Sequence, residues 1–212
     1  WVGTTNFDLR KPNFVIIHHT AQNSCQETLK TFTLERTKVS AHYVISDDGT
    51  VVQMLNDYLR AWHGGNASWG KNTDINSASI GIELDNNGFE PFSEAQINSL
   101  VALLTRLKKD YNIPTANIIA HSDIAPSRKS DPSTLFPWKN LAELGFGLWP
   151  EDQLEKAPDY FNVEQALRII GYNTQNLSSA IKAFKLHYIQ TEVDDTLDEK
   201  TINTIYSIYK KQ

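Results

Sequence analysis

The chain has 212 residues, 40% of them hydrophobic and 21% charged, with a formal net charge of −5 and a pI near 5.7. That composition is ordinary for a globular protein of one sizeable domain, or one domain with a small module. The acidic balance argues against a nucleic-acid binder, and the lack of a polybasic segment argues against a membrane-surface role. No apolar run of roughly 18 residues is present, so no transmembrane helix is expected. One cysteine, Cys25, excludes an internal disulfide. The sequence starts at Trp1 rather than Met. We therefore expect a processed N-terminus whose removed part carried a secretion signal or a lipid attachment.

The elements follow in chain order. "NFVIIH" (13–18) is a short β-branched apolar run, the pattern of a buried strand. Ser24 with Glu27 three residues later opens a helix over "CQETLKTFTLER". "HYVISDDGTVVQML" reads as two strands joined at an Asp-Gly turn. "SIGIEL" (79–84) is another buried strand. Ser93 with Gln96 caps a helix in which Ile97, Leu100, Val101, Leu104 and Leu107 keep helical spacing. "NIIAH" (117–121) is a strand that ends at a histidine. This alternation predicts an α/β fold with a mixed central sheet flanked by helices. Pro150 and Pro158 then bracket a polar linker. Three helical segments follow, "VEQALRIIGY", "LSSAIKAFKLHYI" and "DEKTINTIYSIYKK". The expected organisation is an α/β domain over 1–150 and a small independent three-helix domain over 151–212, the latter near the lower size limit for a core.

The chemistry-bearing residues gather at strand ends. His18 closes "FVII" and His121 closes "NIIA", and open α/β sheets bind ligands beyond the carboxyl ends of their strands. Glu83 stands between Ile82 and Leu84 in an apolar strand, where a carboxylate is costly without a partner or a task. On the loop after His121 lie Arg128, Lys129 and Asp131. If the strands are neighbours, His18, His121, Asp131 and Glu83 converge. Two histidines and a carboxylate leave one corner of a catalytic zinc open for water, whose pKa falls to about 7 there. Glu83 is then placed to move the water's proton, and Lys129 to stabilise an oxyanion. Taken one at a time, each residue has a plainer role: a hydrogen-bonded strand-end histidine, a turn aspartate before Pro132, a solvated lysine, a paired buried glutamate. Their co-occurrence argues for a site.

Six segments in order, "VIIHHT", "SAHYVISDDGTVVQM", "AWHGG", "SIGIELDN", "IIAHSDIAPSRKSDP" and "LFPW", resemble the zinc-dependent N-acetylmuramoyl-L-alanine amidases of the amidase-2 family, in particular those of Gram-negative envelopes. The resemblance covers about residues 12–150. It implies that His18, His121 and Asp131 are zinc ligands and that Glu83 and Lys129 are catalytic. The chain departs from the phage-lysozyme branch at Ala41, where that branch has a catalytic tyrosine, so the Glu83–Lys129 version of the mechanism is implied. The tail, through "ALRIIGY", "AIKAFKLHY" and "LDEKTINTI", resembles a three-helix peptidoglycan-binding domain. The implied activity is hydrolysis of the amide between N-acetylmuramic acid, or its anhydro form, and L-Ala of the stem peptide. The implied partners are peptidoglycan or muropeptides, in the periplasm or at an anchored position on the outer membrane. A non-catalytic peptidoglycan-recognition protein is the alternative, as is a metallopeptidase cutting within the stem.

For substrate contact the candidates are His42, Trp62, His63, Asn66 and Arg128. Trp62 and Trp69 flank the Gly-rich "HGGNAS", where an exposed ring suits a sugar and a buried one suits a core. His19 follows His18 and is expected on the other side of the strand, with a packing or hydrogen-bonding role. Cys25 is expected to be a small buried hydrophobe, and His187 a helix-face residue.

Overall fold

The computed structural model describes residue 6 and residues 9–212; the expected processing at Trp1 lies outside them. In chain order come β1 (Phe14–His19), α1 (Cys25–Thr33), β2 (Tyr43–Ile45), β3 (Val51–Gln53), α2 (Ile75–Ala78), β4 (Ser79–Leu84) and α3 (Glu94–Tyr111). These are followed by β5 (Ile118–Ala120), α4 (His121–Ile124), α5 (Trp138–Glu143), α6 (Val163–Ile170), α7 (Leu177–Tyr188) and α8 (Glu199–Tyr209).

The helix starts follow from their caps. The Ser24 side chain accepts from the Glu27 amide, and the Ser93 side chain from that of Gln96, each satisfying one of the unpaired first-turn donors. The hairpin between β2 and β3 closes at Gly49, whose φ of +85° suits glycine.

The strands form one mixed sheet in the order β3-β2-β4-β1-β5. β1 runs parallel to both β4 and β5, β2 runs parallel to β4, and only β2–β3 is antiparallel. The register sets His18 directly beside Glu83.

Successive side chains on a strand alternate between faces, and the two faces of this sheet have different covers. Val15, Ile17, Ile80, Ile82 and Leu84 pack beneath α3, against Leu100, Leu104 and Leu107. Phe14, Ile16 and Ile119 face the other way, into one apolar cluster with Leu167, Ile170, Phe184, Ile205 and Ile208 of the last three helices. The apolar faces of α6–α8 are continuous with the sheet, because three short helices alone offer little core to close. The linker is also tied down: the Glu151 amide donates to Ser207 Oγ at 3.0 Å and the Ala157 amide to Asn203 Oδ1 at 2.8 Å.

Candidate metal centre

The face of the sheet that carries Phe14 and Ile16 reaches His18 two residues later. On β4 the same alternation puts Ser79, Gly81 and Glu83 on one side, opposite Ile80, Ile82 and Leu84. β5 stops at Ala120, and His121 is the first residue of α4 rather than the last of the strand. The loop after α4 folds back on itself. Ala125 O accepts from the amides of Arg128 (2.9 Å) and Lys129 (3.0 Å), and the Ser122 amide donates to Asp131 O at 2.9 Å. That return sets Asp131 beside His121.

Three donor atoms meet as a result. His18 Nδ1 lies 2.8 Å from His121 Nδ1 and 3.3 Å from Asp131 Oδ2, and His121 Nδ1 lies 3.0 Å from the same oxygen. His18, His121 and Asp131 are all buried, with ligand atoms within 4.8 Å of one another. Glu83 Oε1 stands 4.0 Å from His18 Nδ1, and Glu83 Oε2 is buried with no hydrogen-bond partner. Lone pairs that converge beside an orphaned carboxylate oxygen fit a divalent cation with a water next to it. The outer nitrogens are engaged too: His18 Nε2 meets His63 Nδ1 at 3.0 Å, and His121 Nε2 points at Gly64 O at 3.4 Å. Such outer contacts orient metal-binding imidazoles.

The electrostatics agree with that reading. Burial, with the charge of His121 adding to it, lowers His18 to about 4, so its imidazole is neutral. Burial and the surrounding His18 and His42 rings hold His63 well below its ordinary value. Burial alone would raise Asp131, but the adjacent His121 and His18 imidazoles reverse this and hold it well below the usual carboxylate range. Burial pushes the Glu83 carboxyl up to about 8, with the charge of Asp131 adding and Lys129 pulling back. Glu83 thus titrates in the range of a useful general acid or base.

The centre opens into a cavity of about 410 Å³ walled by Trp62, Arg128 and Lys129. Trp62 is 48% exposed there, whereas Trp69 is core, edge-on to Tyr172 at 4.9 Å. Arg128 donates to Gly64 O at 2.7 Å and to Asn66 O at 3.0 Å. Asn66 itself lines a neighbouring groove. His63 borders the cavity, but both its ring nitrogens are engaged, Nδ1 with His18 and Nε2 with Ser79 Oγ at 3.0 Å. His42 does not line the cavity: it is fully buried, with Nδ1 accepting from the Gly81 amide at 3.0 Å and Nε2 3.0 Å from Leu59 O. The His42 ring is engaged with the backbone around β4. His19 accepts from the Ser133 amide at 3.3 Å, the hydrogen-bonding role expected of it. Cys25 is buried.

Sequence reasoning missed Asp123. Its Oδ2 accepts from the Ala120 amide at 2.8 Å and meets His187 Nδ1 at 2.6 Å, while Oδ1 accepts from the Tyr172 hydroxyl. His187 lies on a buried face of α7 and stacks on Trp138 and Tyr188. The available signal was an acidic residue two positions after a buried histidine at a helix start, where a carboxylate caps free amides.

The family model described as N-acetylmuramoyl-L-alanine amidase matches residues 8–134. The chain is 33% identical to the N-acetylmuramoyl-L-alanine amidase AmiD of Escherichia coli K12 over 219 residues, covering 88% of this chain and 78% of that one. Its fold matches that of AmiD in complex with the substrate anhydro-N-acetylmuramic acid-L-Ala-D-gamma-Glu-L-Lys, with a TM-score of 0.85 at 30% identity over 99% of this chain and 93% of that one. AmpDh3 of Pseudomonas aeruginosa matches with a TM-score of 0.87 at 28% identity over 100% and 96%. The chain belongs to the amidase-2 family of N-acetylmuramoyl-L-alanine amidases.

Proposed function

We propose that this chain hydrolyses the amide joining the lactyl group of N-acetylmuramic acid, or of its anhydro form, to L-Ala of the stem peptide, with zinc held by His18, His121 and Asp131. The observation that carries this reading is the convergence of three buried ligand atoms within 4.8 Å beside the partnerless Glu83 Oε2. The relative in complex with an anhydromuramyl tripeptide supports the substrate class. That substrate lies in the bacterial envelope, and no helix among the described residues is long and apolar enough to cross a membrane.

Zinc held by these three residues would supply Lewis acidity to the scissile carbonyl and the attacking water. Glu83 takes the water's proton as the new C–O bond forms, then gives it to the L-Ala nitrogen as the C–N bond breaks. Lys129, on the cavity wall, steadies the negative charge that develops on the carbonyl oxygen. Trp62 and Arg128 offer a ring face for the sugar and a cation for the stem carboxylates. His63 holds a ligand rather than touching substrate. The complete donor set argues against a recognition protein without catalysis. We read the last three helices first as a buttress of the catalytic sheet, since they share its core; binding to insoluble wall is tested separately by sedimentation with it.

The decisive test is digestion of defined muropeptides with and without a chelator, read by mass spectrometry. The expected product is an intact peptide with L-Ala at its N-terminus, lost on chelation and restored by zinc. Cleavage within the stem, or turnover indifferent to the chelator, overturns the reading.

A further inference from the structure

We propose that His63 and Ser79 are positioning residues that fix the tautomer of His18, so that its Nδ1 lone pair, and not an N–H, faces the metal. The proton order follows from one backbone carbonyl. Ile75 O only accepts, and Ser79 Oγ lies 2.6 Å from it, so the hydroxyl proton goes there. Towards His63 Nε2, at 3.0 Å, Ser79 then offers a lone pair, and Nε2 carries the hydrogen. A neutral imidazole with its proton on Nε2 has a bare Nδ1. That Nδ1 meets His18 Nε2 at 3.0 Å, so His18 donates, and its own Nδ1 is left bare at the centre of the ligand cluster. The opposite order would leave Ile75 O without this donor and turn an N–H of His18 into the space where a cation belongs.

The fold is cut to hold this relay. The His63 ring lies over Gly81, where an added Cβ would come within 2.4 Å of the imidazole Cγ; any larger residue would displace the ring. Asn76 Oδ1 accepts from the amides of His63 (3.2 Å) and Gly64 (2.8 Å), fixing the backbone of the same loop. The next residue of that loop, Gly64, presents its carbonyl to His121 Nε2. One short segment therefore aims both histidines, each through its outer nitrogen. His63 and Ser79 make no contact with the three ligand atoms, so their effect reaches the metal only through His18.

The inference rests on the reading of His18, His121 and Asp131 as metal ligands, and the test separates the two. Zinc affinity of the purified protein is measured by competition with a coloured chelator, and the side-chain protons of the metal-free protein by long-range ¹H–¹⁵N spectra near neutral pH. In the parent protein, His18 is expected to carry its proton on Nε2. His63→Phe is expected to weaken zinc binding roughly 10–100-fold. His63→Gln, whose amide can accept from His18 and donate to Ser79, is expected to stay within a few-fold of the parent. Ser79→Ala, a small deletion that keeps the fold should His63→Phe not fold, is expected to give mixed His18 tautomers and weaker zinc. A His18 proton on Nδ1 in the parent, equal affinities for His63→Phe and His63→Gln, or an unchanged His18 spectrum in Ser79→Ala overturns the inference. A parent protein that does not bind zinc overturns the ligand reading instead.

Discussion

His121 opens α4 and meets Asp131 Oδ2 at 3.0 Å; two residues on, Asp123 of the same turn meets His187 at 2.6 Å. Chemically the two pairs are alike, each a buried imidazole on a buried carboxylate. Their surroundings differ. Around His121 stand a second imidazole, a glutamate oxygen without a partner and a cavity. Around His187 the rings of Trp138 and Tyr188 lie flat, each with its centroid 3.9 Å away, and the Asp123 carboxylate is filled by an amide and a tyrosine hydroxyl. The first arrangement leaves lone pairs facing a space that a cation and a water can enter. The second has its carboxylate filled and ties α7 to the helix that opens with His121. Convergence and access, rather than the pair itself, separate a reactive centre from a latch.

The comparison is most severely challenged by removing the latched helices altogether. A chain ending at Pro150 is expected to lose its native fold, because Phe14, Ile16 and Ile119 would be bared to water, each such side chain contributing about 1.5–3 kcal/mol when buried. Near-UV circular dichroism and dye binding read the loss; a soluble 1–150 fragment that melts like the parent would show that the helices are separable. On the reactive side, Glu83→Gln is expected to keep zinc and lower kcat about 10²–10⁴-fold, and an active variant removes Glu83 from its role. On the latch side, His187→Ala leaves a buried Asp123 short of a partner and is expected to cost about 3–5 kcal/mol of stability, seen as a lower Tm, with kcat of the folded enzyme within a few-fold. A lost kcat at unchanged Tm would make His187 part of the reactive centre. The smallest expected effect is at the cavity wall: Trp62→Ala should raise KM several-fold, about 1 kcal/mol, and leave kcat and zinc content alone.

Much of this was legible in the sequence where local chemistry decides. Ser24 and Ser93 cap the helices they were expected to cap, because a capping oxygen acts over three residues. His18 and Glu83 were placed together by strand logic, and the register pairs them. The bonding of His42 was not legible because it depends on the Gly81 amide 39 residues away, a partner that no local pattern names. Asp123 and His187, 64 residues apart, were missed for the same reason. The covering of the sheet by α6–α8 was also hidden: an amphipathic helix declares that it has an apolar face but not which surface that face will meet. The alternation Ser79–Gly81–Glu83 was visible in "SIGIEL", and it marks the face on which His63 sits.

The first described strand is also an inner one: β1 lies between β4 and β5, both of which come much later. His18 must wait for His121, 103 residues downstream. A growing chain thus lacks this cluster until more than half of it is made, and contacts so distant in sequence form slowly. The strand order itself delays assembly of the cluster until the later strands have docked on β1.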